Sequence, residues 1–162
     1  YFEARGVGAN GWSIGLQWHV RRAAAWAGRT VASMQVYDVL RALETLRQIH
    51  GVSDDEIVIA ARDGMAAVAL YAALLDGNVA GVILDSPPAT QNAPGREDGR
   101  DFALEMLNCL RITDVPQVAG LLYPARIAMV GDIPDTYKWA ENLYKSLGEA
   151  ENFQIIGDLS EY

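Results

Sequence analysis

The sequence predicts an α/β fold with a mostly parallel sheet, because short apolar runs alternate with longer helical segments. Ile57–Ala61, Val79–Leu84 and Ala125–Val130 are apolar runs of five or six residues, typical of buried parallel strands. The segments between them have helical spacing or an alanine-rich composition. Strands that alternate with helices of about ten or more residues indicate βαβ units, with helices on both faces of the sheet.

Local signals place the individual elements. Apolar residues recur at helical intervals within Met34–His50, and Gly51 ends that helix. Met65–Leu75 is apolar nearly all round, which indicates a buried helix. Asp114 precedes Pro116 as an N-cap before a helix start. The remaining expected elements are strand Tyr1–Ala4, helix Arg21–Ala27, helix Asp101–Leu110, helix Thr136–Leu147 and strand Phe153–Ile156.

Size and charge exclude several classes of protein. The 162 residues are the size of one domain. Such a domain buries roughly 69% of the surface that its unfolded chain exposes, so it needs no disulfide or metal ion to stabilise the core. The formal net charge of −8 argues against sequence-independent binding to the phosphate backbone of nucleic acids. Residues 1–50 carry +3 and the remainder −11, which indicates either ordinary solubility charge or a basic segment that faces an acidic one. No uncharged apolar run approaches the roughly 18 residues of a membrane span.

The segment from Ile57 to Leu75, IVIAARDGMAAVALYAALL, carries the most functional information. A buried strand runs directly into an alanine-rich helix through a turn centred on Asp63. In α/β-hydrolases such a turn is the G-x-S-x-G elbow that presents the nucleophile. Here Asp63 stands at the serine position, and Gly64 is the small residue that follows it.

Other segments support the same frame. Arg5-Gly6-Val7-Gly8 resembles the R-G-x-G loop of acetyl xylan esterases and related carbohydrate esterases, which makes Arg5, Gly6 and Gly8 structural loop residues. Segments 28–52, 114–131 and 137–148 are similar to the helices and strand that surround the elbow in those enzymes. The resemblance implies an α/β-hydrolase-like three-layer sandwich. It also implies that residues 1–162 are a single partial domain whose N-terminal strands are missing.

The resemblance also indicates where the other members of a catalytic triad belong. An acid is expected just past the third strand, where Asp132 and Asp135 stand, although turn or capping roles account for both. The histidine is expected after the last strand, and Phe153–Tyr162 contains none. His19 and His50 lie elsewhere, and His50 fits a helix C-terminus.

Several residues allow two interpretations. Asp63 could be a covalent nucleophile, as in haloalkane dehalogenases and epoxide hydrolases of this fold, although hydrolysis of the ester would need a base. Arg62 beside it is expected to make a structural ion pair. Trp12, Trp18 and Trp26 could form a platform for sugar rings or pack in a core. Because the single Cys109 and two histidines lack ligand spacing, and no P-loop or dinucleotide fingerprint occurs, we expect neither metal nor cofactor.

The leading hypothesis is a catalytically degenerate α/β-hydrolase domain resembling acetyl xylan esterases, part of a larger or tandem esterase. The alternatives are an active hydrolase that uses Asp63 with a base from outside the chain, and a noncatalytic carbohydrate-binding or scaffolding module. An ester or carbohydrate ligand, or another hydrolase domain or chain, would be the partner. The resemblance implies a secreted or periplasmic location. We further predict that Ile57–Ala61 lies between Tyr1–Ala4 and Val79–Leu84, with Asp63 at the helix N-terminus.

Overall fold

The computed structural model describes residues 1–49, 52–53, 57–92 and 101–157. Its longer elements are α1 Ile14–Trp26, α2 Val31–Arg47, β1 Val58–Arg62, α3 Gly64–Asp76, β2 Gly81–Asp85, α4 Val115–Leu121, β3 Arg126–Val130, α5 Lys138–Ser146 and β4 Phe153–Ile155. Short 3₁₀ turns lie between several of them. Among the helices described, none has the length and apolarity needed to cross a membrane.

The four strands form one parallel sheet in the order β1-β2-β3-β4. This confirms the predicted α/β class. The position predicted for the first strand is wrong: Tyr1–Ala4 pairs with no described strand, and β1 lies at the edge of the sheet instead of its centre. Tyr1 and Phe2 are exposed, while Ala4 is buried and Arg5 is tied to α2. The N-terminal segment is therefore anchored to a helix and adds no strand.

Helices α2, α3, α4 and α5 lie against one face of this sheet. Right-handed crossovers between strands in sequential order place every connecting helix on the same side. Contacts of α2 with α3, α3 with α4 and α4 with α5 join these helices into one layer.

The two faces of the sheet differ in burial. Register pairs Ile59 with Val82 and Val82 with Ile127, so these side chains share the face that the helices cover. Val82 and Ile127 are 0% and 1% exposed. On the opposite face, Val58 and Ala60 of β1 are exposed, Ile83 and Val130 are half-buried, and Ala128 is buried. Exposure on that face is therefore greatest at β1.

Helix α3 forms the centre of the core. Nine of its 13 residues are buried, and Ala66, Ala67 and Leu70 are completely inaccessible. Small alanine side chains bring α3 close to the sheet and to α2 and α4, which it contacts on either side. The helix ends at Gly77, whose φ of 72° is the left-handed conformation that glycine adopts at low cost.

Helix α4 begins as predicted. The Asp114 carboxylate accepts from the Val115 backbone N–H at 2.7 Å and from the Gln91 backbone N–H at 2.6 Å. It also accepts from the Thr90 hydroxyl at 2.5 Å. One side chain thus caps α4 and fixes the loop that follows β2, as expected for an aspartate N-cap.

The helix predicted over Asp101–Leu110 is wrong. The segment contains two 3₁₀ turns, Phe102–Leu104 and Cys109–Arg111, separated by irregular backbone. Asn108 between them has a φ of 61°, which a continuous right-handed helix does not allow. Asp101 stabilises the first turn because its side chain accepts from the Ala103 N–H at 3.0 Å. Local side-chain capping here competes successfully with helix formation.

Candidate active site at the carboxyl edge of the sheet

Asp63 lies at a tight turn between β1 and α3, as predicted. Its φ of 51° and ψ of −133° are sterically costly for any residue with a side chain. Two backbone hydrogen bonds hold the turn: the Asp63 N–H donates to the Asp85 carbonyl at 2.9 Å, and its carbonyl accepts from the Ala66 N–H at 3.0 Å. The Asp63 side chain is exposed and makes no capping hydrogen bond. The turn therefore presents, at the start of α3, a carboxylate that has no partner among the described residues.

Gly64 makes this turn possible in a crowded position. A Cβ atom at residue 64 would lie 2.2 Å from an Asp101 carboxylate oxygen, so a larger residue cannot fit without displacing that side chain. Asp101 thus packs over the N-terminus of α3. A carboxylate in this location interacts favourably with the helix dipole.

A second strained turn lies at the end of the neighbouring strand β2. Ser86 has a φ of 49°, and its hydroxyl donates to the Asp85 carboxylate at 2.9 Å. The same hydroxyl oxygen accepts from the Asp132 backbone N–H at 3.3 Å. Gly131, with a φ of 81°, approaches so closely that an added Cβ would lie 2.4 Å from the Ser86 oxygen. Of this cluster the sequence indicates only Asp132 as a candidate, and the strand-end positions of DSPP and VGD are the only signal for Ser86 and Gly131.

Arg62 forms its ion pair with Asp85, across the strand pair, at 2.5 Å. The sequence had suggested a pair involving neighbouring Asp63, and the register explains the difference: Arg62 and Asp85 are directly opposed in β1 and β2. The hydrogen bond from Ser86, followed by the bond and charge of Arg62, lowers the pKa of Asp85. A carboxylate with a lowered pKa is a weak general base, so Asp85 is poorly suited to activate Ser86.

The two acids expected after β3 are separated by the turn that follows it. Asp132 is exposed, and its backbone N–H contacts Ser86. Asp135 pairs with Lys138 at 2.6 Å, and the hydrogen bond and charge of Lys138 lower the pKa of Asp135. The described residues bring Asp63, Ser86 and Asp132 to the ends of three successive strands. None of them contacts a described histidine.

The R-G-x-G loop is tied to α2. The Arg5 backbone N–H and Nε donate to the Asp38 carboxylate at 3.1 and 2.8 Å, and the Gln35 side chain donates to the Arg5 carbonyl at 3.0 Å. Partial burial raises the pKa of Asp38, but the hydrogen bonds and charge of Arg5 outweigh this effect and lower it overall. Gly6 and Gly8 both have positive φ values, 76° and 56°. These contacts give the loop a structural role.

The other candidate groups lie outside this edge. His19 is an exposed residue of α1, and His50 lies outside the described residues. Trp18 and Trp26 are 50% and 89% exposed, so neither packs in the core. Burial raises the pKa of the Cys109 thiol, which keeps it protonated near neutral pH and makes it a weak nucleophile. In the part of the chain that the structure describes, no group of side chains could hold a metal ion.

The arrangement defines an α/β domain in which a strained turn at Asp63 joins an edge strand to a buried helix. Over 98% of its length the chain is similar to the crystal structure of a "putative acetyl xylan esterase" from Bacteroides fragilis NCTC 9343, with a TM-score of 0.77. Sequence identity is 14%, so this likeness shows the fold alone. The match covers 46% of that chain, about half its length. No protein-family model and no curated protein matches the sequence.

Proposed function

We propose that this chain is a hydrolase-fold domain of the acetyl xylan esterase type that has lost esterase catalysis and acts as part of a larger or tandem esterase. The observation that carries the proposal is the elbow itself. Its turn keeps the strained conformation of a nucleophile elbow, yet the position holds an aspartate whose side chain has no partner in the described part of the chain. A degenerate copy of an esterase domain is expected to retain this strained backbone conformation after the nucleophilic side chain has been lost.

The chemistry of acyl transfer supports this interpretation. The reaction needs a nucleophile, a general base within about 3 Å of it, and donors for the oxyanion. Asp63 is a weak nucleophile toward esters, and its carboxylate contacts no described base. The serine nearest along this edge, Ser86, donates to a carboxylate of lowered pKa. Neither strand end therefore supplies an activated hydroxyl.

The test is hydrolysis of p-nitrophenyl acetate by the unmodified chain, Asp63→Ser and Asp63→Asn. We expect all three rates to equal the buffer rate, because a serine at the elbow without a histidine is not activated. In subtilisin, removal of the catalytic serine or histidine lowers the rate by about 10⁶-fold, which sets the scale of the expected loss. Turnover by the unmodified chain that Asp63→Asn abolishes would overturn the proposal.

A second candidate function is alkyl transfer to Asp63, favoured because its carboxylate is exposed and contacts no partner within residues 1–49, 52–53, 57–92 and 101–157. An aspartate at this position can attack the carbon of an alkyl halide, whose carbon–halogen bond breaks and releases halide, and form an ester on the enzyme. With an epoxide, a ring C–O bond breaks, the ring oxygen takes a proton from water, and the whole molecule stays attached as a hydroxyalkyl ester. Without a base, that ester would persist and add the mass of the alkyl group to the chain. Intact-mass spectrometry after incubation with styrene oxide tests this, with Asp63→Asn as the matched control. An adduct on the unmodified chain alone would favour this second function.

The likeness in fold supports the larger-assembly part of the proposal, since the matched region is 46% of the neighbour. An ester or carbohydrate ligand would then bind at the carboxyl edge formed jointly with other sequence. Co-expression with a complete acetyl xylan esterase domain, followed by size-exclusion chromatography, would test the association. Independent elution of both components at micromolar concentration would argue for the scaffolding or carbohydrate-binding alternative.

A further inference from the structure

A cavity of about 480 Å³ lies between the junction of α1 with α2 and the irregular segment 104–111. Its wall contains none of the residues at the carboxyl edge of the sheet, so it is separate from the elbow. The apolar part of the wall includes Ala25, Val31, Leu104 and Met106. The polar groups that line it determine what it can bind.

Two of the arginines in the wall have no carboxylate partner among the described residues. Arg21 also lines the cavity, but its Nε donates to Glu105 at 2.8 Å and its guanidinium lies over the rings of Trp18 and Phe102. Arg21 and Glu105 therefore neutralise each other. Arg29 and Arg111 are exposed and form no described ion pair, which leaves two positive charges in the wall. A guanidinium binds a carboxylate through two parallel hydrogen bonds.

Gln91 gives the second, independent indication of a ligand. It lines the same cavity and is 2% exposed. Its amide nitrogen makes one long bond of 3.4 Å to the Ala103 carbonyl, and its amide oxygen has no hydrogen-bond partner among the described residues. A buried polar group without a partner is costly. A rotation of the Gln91 side chain toward the cavity would let a hydroxyl group of a bound molecule satisfy the unpaired oxygen.

The N-terminus of α2 adds to the positive potential. Thr30 and Val31, the cap and first residue of this 17-residue helix, both line the cavity. The Thr30 hydroxyl already accepts from the Ser33 N–H at 3.1 Å, while the helix dipole still favours an anion nearby. The cavity thus combines two guanidinium groups, a helix N-terminus, an unsatisfied hydrogen-bond acceptor and an apolar wall.

We propose that this cavity binds a hydroxylated carboxylate of the size of a sugar acid. Its carboxylate lies between Arg29 and Arg111, a hydroxyl donates to the Gln91 amide oxygen, and the remaining carbon skeleton covers the apolar wall. The volume is sufficient for one such molecule with ordered water. This binding is independent of chemistry at Asp63, because the two sites share no residue.

Isothermal titration calorimetry with D-glucuronate and with D-glucose tests the proposal. The two sugars differ at one carbon, which is a carboxylate in the first and a hydroxymethyl group in the second. We expect saturable binding of glucuronate and at least tenfold weaker binding of glucose, because the charged hydrogen bonds are lost. Equal affinities, or no glucuronate binding up to 20 mM (on the order of the weakest specific affinities), would overturn it.

Charge-matched variants distinguish a specific site from general attraction. Arg29→Gln and Arg111→Gln should each weaken glucuronate binding about tenfold. Arg22→Gln is the control, since Arg22 is an exposed arginine of α1 that does not line the cavity. Its affinity should stay within twofold of the unmodified chain. All three positions are exposed, so thermal melts should be unchanged, and an equal loss in Arg22→Gln would overturn the proposal.

Discussion

The two faces of the sheet have similar strands but different surroundings. Toward the helices, Leu84 and Met129 are completely buried. On the opposite face, Val58 is 36% exposed and Ala60 is also exposed, while Ile83 is half-buried. Parallel sheets occur almost always with both faces covered, and their strands are correspondingly apolar throughout. The strand composition therefore reflects burial on two sides, whereas the described helices provide it on one.

The largest expected effect comes from the covered face. Leu84→Ala should lower the free energy of unfolding by about 3 kcal/mol, because the lost side chain leaves a cavity under α3. Val58→Ala on the opposite face should cost about 0.5 kcal/mol or less. Urea unfolding followed by circular dichroism measures both. Similar losses for the two variants would mean that both faces are covered in solution.

The junction between β1 and α3 provides the next effect. Asp63→Gly should raise the free energy of unfolding by about 1 kcal/mol, because glycine adopts the φ of 51° without the strain imposed by a side chain. Asp63→Ala retains a Cβ atom and should bring no such gain. The same urea titration gives the answer, and equal stabilities for the two variants would contradict strain at this turn.

Two ion pairs are expected to differ in how much they contribute to the loss of stability in acid. One lies in the helical layer, and the other lies on the face of the sheet opposite the helices, here called the open face. Arg47 of α2 bonds to Asp76 of α3 at 2.6 Å, and these hydrogen bonds lower the pKa of the Asp76 carboxyl despite its partial burial. A lowered folded-state pKa gives stability that is present above the unfolded pKa of about 3.9 and lost as pH falls below it. In Asp76→Asn, the thermal midpoint should therefore fall less between about pH 5 and 2 than it does in the unmodified chain.

Asp85→Asn is the matched variant on the open face. Its partner Arg62 is 72% exposed in its side chain, and exposed pairs contribute little. The pH dependence of the thermal midpoint should therefore change less than in Asp76→Asn. A larger change in Asp85→Asn would contradict this, because it would mean that the ion pair at the strand ends contributes more to stability in acid than the pair in the helical layer.

The smallest expected change in the free energy of unfolding comes from a substitution at the exposed part of the open face. Ala60→Thr should change the free energy of unfolding by less than about 0.5 kcal/mol, since threonine suits an exposed strand position. Ala128 lies on the same face but is completely buried, so Ala128→Thr should cost about 1–3 kcal/mol through overpacking. Chemical denaturation of the pair locates the boundary of the exposed area.

The sequence was sufficient for features that depend on neighbouring residues. The strand-turn-helix around Asp63 was predictable because an apolar run passes directly into an alanine-rich helix with Gly64 at the turn. The Asp114 cap was predictable for the same local reason. The break at Asn108 was not, since its left-handed backbone has no composition signal apart from asparagine itself.

Features that depend on distant contacts were not predictable. The close approach of Gly131 to Ser86, 45 positions earlier in the chain, arises only in the folded protein. The edge position of β1 also escaped prediction, because an apolar composition does not tell which neighbour a strand has. Tyr1–Ala4 has apolar and aromatic residues suited to a strand, but its anchor is the Arg5 contact with α2. The unpaired arginines and Gln91 became visible only through the cavity they share.

The edge position of β1 has a consequence for amide hydrogen exchange. The Ile57 carbonyl accepts from the Ala80 N–H and the Asp63 N–H donates to the Asp85 carbonyl, so odd-numbered residues of this strand face β2. Because N–H groups alternate in direction along a strand, those of Val58, Ala60 and Arg62 point away from it. In deuterium oxide, these three amides should exchange rapidly while the amides of Ile59 and Ala61 remain protected. Slower exchange of the amides of Val58, Ala60 and Arg62 would therefore show that another segment or molecule pairs with the free side of β1.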